Sequence, residues 1–460
     1  GNMILVIDDF HYFVGASELG IGKIDISEII IPYLESSRFQ MIATTDPLNF
    51  HKYIENRPVL IKVFSQIDIT EPSIKSTMII VEESAIQVEK ETDIFFTFQA
   101  IKNIIYLADK YIHTMPFPEK ALDLLNEAAT FIKNQKRNIV LGEDIEKLVS
   151  QIAKVPIGIG SEYEKNLLLN LEDVMHQSLI NQEEAVKVVA QALRRVRTGL
   201  TGRHKPVGSF LFIGPTGVGK TETAKVLAKQ YFGSSENIIR FDMSEYQDIQ
   251  SISRFIGSIE KNEPGQFVSK VRDHPSFLIL LDEIEKADKS ILNLFLTVFD
   301  EGYINDVYGR KISLEQNIII ATSNAGAEMI REIVQQNIDP QTQKEKIVDY
   351  LLKNNYFTPE FLNRFDDIAI YHTLSKENLI KVAEIMLSSL KDRLLSESYI
   401  FEINDEIKEY IVEKGFDPQF GARPMKRVIQ DKIEEPISKM ILNGQLKKGE
   451  KFTLPKEFLN

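Results

Sequence analysis

Apolar and polar positions fall into four successive blocks along the chain. Residues 1 to about 73 carry short apolar runs, "MILVID", "FQMIATT", "VLIKVF" and "IDIT", separated by helix-length or loop-length connections. Short apolar runs bounded by polar breaks predict strands, and strands alternating with helices predict an α/β unit. From about 80 to 153 the period lengthens, and "TFQAIKNIIYLADKYI" and "PEKALDLLNEAATFIKNQ" repeat their apolar residues at helical spacing. The second has a proline near its first turn, where a missing N–H costs nothing. "VPIGIGSE" at 155–162 breaks the pattern and predicts a linker. Residues 163 to about 370 return to α/β, with "VGSFLFIG", "NIIRFDM", "FLILLDEI" and "NIIIATSNAG" as strand candidates. From 375 the chain is helical again and closes on a short strand, "EKFTLP".

The two α/β blocks echo one another. "ILVIDD" followed by "MIATT" returns as "LILLDE" followed by "IIATSN", with 36 residues from Asp8 to Thr44 and 40 from Asp282 to Thr322. Two diverged copies of one module are expected. A buried strand ending in carboxylates delivers acids to a metal and a phosphate, yet nothing before Asp8 in this sequence could hold a phosphate.

The second copy supplies that half. "GPTGVGKT", residues 214–221, matches G-x-x-x-x-G-K-[ST] at every fixed position, between a strand candidate and a helix candidate, "TETAKVLAKQYF". Gly214, Gly217 and Gly219, with Pro215, Thr216 and Val218 between them, let the backbone curl so that its N–H groups and the helix N-terminus face phosphates. Lys220 can reach the β- and γ-phosphates, the Thr221 hydroxyl can ligate Mg²⁺, and Glu222 follows on the helix. In "LILLDE", Asp282 would hold Mg²⁺ directly or through water, and Glu283 would polarise the attacking water as general base. A glycine-rich turn or an acid-ended strand alone is weak; the pair in this order predicts an ATP site.

With those residues in hand, the chain resembles the tandem-ring Clp ATPases of the AAA+ superfamily, the unfoldases and disaggregases, over essentially its whole length. The stretches that carry the likeness are "HKPVGSFLFIGPTGVGKTETAKVLA", "RFDMSEY", "LLDEIEKAD", "ATSNAG", "PEFLNRFD" and "FDPQFGARPMKR". The resemblance implies that Asn324 is the first sensor, bonding the γ-phosphate or the attacking water. It implies that Arg423 is the second sensor and that Arg364 is a finger reaching into a neighbouring subunit's site. A finger supplied in trans requires a ring, in this family a hexamer, that acts on protein substrates. Leu179 and Ile180 stand where the family packs adenine, with Asn181 at the usual glycine. As single residues, Arg364 and Arg423 would be read as solvated charges or surface ion pairs; the motifs around them carry the assignment.

The implied fold class is α/β: a P-loop AAA+ parallel-sheet domain with a helical small subdomain, preceded by a partial AAA+ domain and its helical subdomain. The expected boundaries are 1–78 for the partial first large subdomain, 79–156 for its helical subdomain, 157–372 for the second large subdomain and 373–460 for the C-terminal small subdomain. The first phosphate loop belongs upstream of the residues given. The first copy also departs from the family at the acidic pair, where Asp9 replaces a glutamate, and at the finger, where Ile61, Lys62 and Val63 replace Glu-Arg-Arg before Phe64. It is expected to serve assembly.

Other departures narrow the function. The family's Gly-Tyr-Val-Gly pore loop, whose aromatic grips a threaded chain, is replaced in "RFIGSIEKNEPGQFVSKV" (254–271) by the charged "SIEKNEP". Either another residue grips or this ring hydrolyses ATP without gripping. No Ile-Gly-Phe or Ile-Gly-Leu type tripeptide lies between Asn324 and Phe357, so docking on a barrel protease is not supported. The region 80–153 has no long coiled-coil insertion of the disaggregase kind. The net charge of −13 argues against nucleic-acid partners, and the absence of cysteine excludes disulfides and thiolate metal sites. Apolar runs such as "FLILL" are far below the ~18 residues of a membrane span. The expectation is a cytoplasmic ATP- and Mg²⁺-dependent ring chaperone, the alternative an ATP-binding scaffold.

Overall fold

In the computed structural model, which describes residues 4–14, 26–34, 40–46, 49–55, 57–112, 115–153, 162–197, 205–258, 263–307, 309, 311–417 and 421–455, the chain divides into two units, Gly1–Pro72 and Ser73–Asn460. In the first unit the acid-ended strand β1 (Ile4–Ile7) pairs in parallel with β2 (Gln40–Ala43), Ile7 opposite Ala43. Phe10, Val14, Ile54 and Leu60 form its small core. Two expected strands are not formed. "VLIKVF" is the helix Pro58–Val63, because Arg57 is extended and Pro58 occupies a first-turn position preset for helix. "IDIT" is irregular, with Ile67 and Ile69 exposed at 84% and 94%; an alternating run becomes a strand only when a sheet edge takes its hydrogen bonds.

The second unit opens with helices Ile74–Thr92, Phe98–Tyr111, Glu119–Asn134 and Gly142–Ala153. The boundary expected after residue 78 falls inside the first of these, and the division lies between Pro72 and Ser73. Ser73 and Thr97 cap helix starts by accepting the amides of Ser76 and Ala100. The helices bury Val81, Ile104, Leu124, Ile132 and Val149 around a two-residue parallel pair, β3 (Phe95–Phe96) with β4 (Ile139–Val140). Residues 155–161 of the expected linker lie outside the described residues.

The second large subdomain is built on five parallel strands. In chain order its strands are β5 (Gly208–Ile213), β6 (Ile238–Asp242), a short hairpin β7 (Gly257–Ser258) with β8 (Glu263–Pro264), β9 (Leu278–Asp282), a second hairpin β10 (Tyr303–Asn305) with β11 (Lys311–Ser313), then β12 (Ile318–Ser323) and β13 (Asp367–Ile370). The sheet order is β13-β5-β12-β9-β6. β5, β9 and β12 are buried throughout, which is why they read as unbroken apolar runs. Their side chains still alternate: Leu211, Ile213, Ile279, Leu281 and Ile319 enter one core, and Phe210, Phe212, Leu278, Leu280 and Ile320 the other. β13 was not anticipated from the sequence; it is a four-residue edge strand held on one side by β5.

The small subdomain follows, with helices Lys376–Ser396, Asp405–Gly415, Arg423–Ile429 and Glu435–Leu442. A parallel pair, β14 (Ile400–Phe401) with β15 (Lys451–Phe452), closes it. Ala383, Leu387, Phe401, Ile411, Met425 and Ile433 form its own core. The fold is the expected one: an α/β parallel-sheet domain with a helical small subdomain.

Candidate nucleotide site

Three neighbouring strands, β5, β12 and β9, end at the same edge of the sheet, and ligands in open α/β sheets bind outside such carboxyl ends. β5 runs into the glycine-rich loop. Gly219 sits at φ 109° just before helix Lys220–Phe232, a conformation that a side chain would strain. The helix therefore starts with its amides directed at the loop's concavity, the geometry that favours anions.

The Lys220 side chain lies in that concavity. Its ammonium donates to the carbonyls of Gly214 and, at 3.0 Å, of Pro215, and to Asn324 Oδ1 at 2.8 Å. Burial, with a further push from Arg423, outweighs the upward pull of Glu285, Asp282 and Glu283 and leaves the ammonium lowered to about 8. At neutral pH the group keeps its proton. Thr216 also donates to Asn324 Oδ1, at 3.4 Å. The sensor candidate is thus held by the loop it would report on.

Asp282 ends β9, and Glu283 follows at φ 57°, turning the chain before the short helix Ile284–Lys286. One buried hydroxyl fixes both acids: Thr322 Oγ1 donates to Asp282 Oδ1 and accepts the Glu283 amide at 3.3 Å. The Glu283 carboxylate pairs with Lys286, and this bond holds the Lys286 ammonium above its ordinary range. Glu285 Oε1 accepts the Asn324 amide at 3.0 Å, which ties the β12 terminus to the turn after β9.

The small subdomain closes the site. Gly421, at φ 62°, lies so near the loop that a Cβ there would meet Thr216 O at 2.7 Å and Gly217 O at 2.9 Å. The Ala422 amide donates to Gly217 O at 3.2 Å, and Arg423 follows as the first residue of its helix. A cavity of about 830 Å³ results, bordered by Thr216, Gly217, Val218, Gly219, Lys220, Thr221 and Glu222, by Leu179 and Ile180, and by Asp282, Glu283, Asn324 and Arg423. That volume suits a nucleotide-sized ligand. Thr221 and Asp282 together offer one hydroxyl and one carboxylate, a donor set that fits Mg²⁺, which completes its shell with phosphates and water. Among the described residues no group of three or more His, Cys, Asp or Glu could hold a metal unaided.

Arg364 is not brought to this cavity. Its Nη1 pairs with Asp300 Oδ1 at 2.9 Å, the ion pair expected of a lone arginine. Asn181, expected as glycine from the resemblance, takes a left-handed conformation (φ 62°), and its Nδ2 lies 2.8 Å from His372 Nε2. Asn tolerates that conformation, so the departure is absorbed locally. Beside it Gln182 donates to Val218 O at 3.3 Å and His372 O at 3.0 Å, linking this segment to the glycine-rich loop. The charged loop's tip, residues 259–262, lies outside the described residues.

Sequence reasoning did not single out Thr322, Glu285, Arg240 or Gly421 as site residues. Thr322 had a signal in the repeated Asp-to-Thr spacing. The others sit inside quoted motifs, but their partners are 39 to 205 residues away (324 − 285 and 421 − 216).

Residues 205–368 match the family described as AAA domain (Cdc48 subfamily), 374–454 the C-terminal D2-small domain of ClpB protein, and 73–174 the AAA lid domain. The chain is 35% identical over 503 residues to the ATP-dependent Clp protease ATP-binding subunit ClpE of Bacillus subtilis (strain 168), covering 97% of this chain and 71% of that protein. For ClpE of Lactococcus lactis subsp. lactis (strain IL1403) identity is 34%, covering 95% and 66%. For the negative regulator of genetic competence ClpC/MecB of Bacillus subtilis it is 33%, covering 99% and 65%. The chain thus spans about two thirds of the length of these relatives. Among solved structures, the S. cerevisiae Hsp104-ADP complex superposes with a TM-score of 0.79 at 28% identity, over 99% of this chain and 78% of that one. Among the described residues, no helix is long and apolar enough to cross a membrane. On these matches, the chain belongs to the Clp family of AAA+ ATPases.

Proposed function

We propose that this chain is the ATP-hydrolysing subunit of a ring-forming Clp chaperone that remodels proteins. The observation that carries the reading is the convergence of Lys220, Thr221, Asp282, Glu283, Asn324 and Arg423 on one cavity between sheet domain and small subdomain. Loop amides and Lys220 hold the triphosphate; Leu179 and Ile180 flank the base. Thr221 and Asp282 would hold Mg²⁺, which would supply charge neutralisation for the phosphates. Glu283 takes the proton of a water whose oxygen attacks the γ-phosphorus as the bond to the β–γ bridging oxygen breaks, leaving ADP and phosphate. Asn324 orients that water or the γ-phosphate. Arg364, away from its own subunit's cavity, supplies its guanidinium to a neighbour's.

A second reading is favoured by the loop "SIEKNEP" (258–264), which has charges where a gripping aromatic is expected. Aromatics grip any chain by packing against it, and hydrated charges do not. In that reading the ring is a nucleotide-controlled scaffold without threading. The relatives are named as subunits of an ATP-dependent Clp protease, but the tripeptide that would dock such a partner is missing, and we propose no barrel-protease partner. ATP turnover measured against protein concentration, with and without an unfolded protein, tests the reading. The expected result is turnover per subunit that rises with concentration as rings assemble, with little stimulation by unfolded protein. Turnover independent of concentration would overturn the trans finger, and strong stimulation would overturn the weak grip.

A further inference from the structure

Both carboxylate oxygens of Asp282 are already engaged. Oδ1 accepts from the Thr322 hydroxyl, and Oδ2 accepts from Arg240 Nη2 at 2.5 Å. Arg240 reaches Asp282 from the neighbouring strand, β6, where Arg240 lies opposite Leu280 and Asp242 opposite Asp282. The two partners differ in cover: the Arg240 side chain is 53% exposed and that of Asp282 12%. The guanidinium therefore comes in from the solvent side and can withdraw without opening a core. It borders the same cavity as Thr221 and Asp282, so it places positive charge on a carboxylate oxygen of the residue assigned to the metal.

We propose that Arg240 is a positioning residue of the nucleotide site, a guanidinium that occupies Asp282 Oδ2 in place of the metal and yields it when Mg²⁺ arrives with nucleotide. The inference rests on the assignment of Asp282 to Mg²⁺. Two cations compete for one carboxylate oxygen, so Arg240 weakens the metal's hold. In metal-free solution the same guanidinium offsets the repulsion between Asp282 and the phosphates. Both effects have one sign: Arg240 reduces the factor by which Mg²⁺ tightens nucleotide binding, and that factor is reciprocal between metal and nucleotide.

The test is a binding cycle on the full chain, with ADP affinity measured calorimetrically in excess Mg²⁺ and in EDTA. The ratio of the two dissociation constants is compared for wild type, Arg240→Gln and Lys426→Gln. Lys426 also lines the cavity but belongs to the small subdomain, and so controls for a general loss of positive charge. Arg240→Gln should raise the ratio about three- to five-fold, the upper part of the range for a half-exposed ion pair. Lys426→Gln should weaken both affinities and leave the ratio within about two-fold. If Arg240→Gln does not fold, Arg240→Lys, which lacks the planar fork, should still exceed the wild-type ratio. An unchanged ratio in the Arg240 variants, or an equal rise in Lys426→Gln, would overturn the proposal. A wild-type ratio of one would instead overturn the assignment of Asp282 to the metal, and the competition with it.

Discussion

In the first unit, Thr44 Oγ1 donates to Asp8 Oδ1 at 3.1 Å and accepts the Asp9 amide at 3.2 Å; in the second, Thr322 makes the same two bonds to Asp282 and Glu283. Asp9 and Glu283 both take left-handed backbones, at φ 51° and 57°. Ile7 faces Ala43 across one parallel pair as Leu281 faces Ala321 across the other. Each copy later has a short helix begun by a proline, Pro58 or Pro359, with a phenylalanine six residues on. Phe64 packs on Phe10 and Phe365 on Phe299.

Against that shared frame the reactive positions have changed. Asp9 stands at the place of Glu283, one methylene shorter. Asp46 stands three residues after Ala43, as Asn324 does after Ala321, and its carboxylate accepts from the Asn49 amide and side chain; a carboxylate would repel the γ-phosphate that an amide can sense. Val63 stands at the place of Arg364. In each copy the frame is held by backbone hydrogen bonds, one threonine on the first acid and one aromatic contact, and the side chains at the positions of Glu283, Asn324 and Arg364 take no part in these. Chemistry can therefore be lost from a copy while its local geometry survives.

The largest effect that would break this contrast is in turnover. Glu283→Gln should lower ATP hydrolysis by about 10²- to 10⁴-fold, the usual contribution of a general base, with ADP affinity retained. Lys220→Ala should remove nucleotide binding itself. Asp9→Asn should leave turnover within about two-fold, because a surface change away from the reacting atoms is nearly neutral. Comparable losses from Asp9→Asn and Glu283→Gln, read by steady-state hydrolysis and calorimetric binding, would erase the distinction between the copies.

Next in size is the finger. Arg364→Ala should cost about 10³-fold or more in turnover, and Val63→Ala should cost almost nothing. Mixing Arg364→Ala with Glu283→Gln chains should restore part of the activity, because some interfaces then join an intact finger to an intact base. Recovery should grow with total concentration, as assembly does. No recovery in rings shown to contain both chains would place the arginine's action within its own subunit.

Motifs whose residues are consecutive were legible in the sequence: the phosphate loop, the acid pair and the strands buried on both faces. What was not legible depends on partners far along the chain. "VLIKVF" looked like a strand because a short apolar run does not distinguish strand from helix, and only Pro58 gave the competing signal. β13 was missed because four residues at a sheet edge carry little periodicity. Arg240 could not be assigned to Asp282, 42 residues away, without the β6–β9 register. The family resemblance supplied roles for Asn324, Arg364 and Arg423, but not the contacts with Thr216, Asp300 and the Gly421 turn that hold these segments.

The smallest effect sharpens the comparison most directly, because it asks one question of the same bond in both copies. Thr→Val keeps the shape and volume and removes only the hydroxyl. Thr322 is fully buried beside a mostly buried Asp282, so Thr322→Val leaves the Asp282 carboxylate and the Glu283 amide short of a partner. The cost should be about 1–3 kcal/mol. Thr44 and Asp8 are exposed, water replaces the lost bond, and Thr44→Val should change stability by no more than about 0.5 kcal/mol. Thermal unfolding of the full chain separates the two, since only the unit that binds ADP has a transition that rises with ADP. Thr322→Val should lower that transition by several degrees, at roughly 2–4 °C per kcal/mol for a domain of this size, and Thr44→Val should lower the first unit's own, ADP-insensitive transition by clearly less. Equal shifts would mean that the clamp's worth does not depend on burial, and a null effect of Thr322→Val would mean that the acids after β9 are held by the backbone alone.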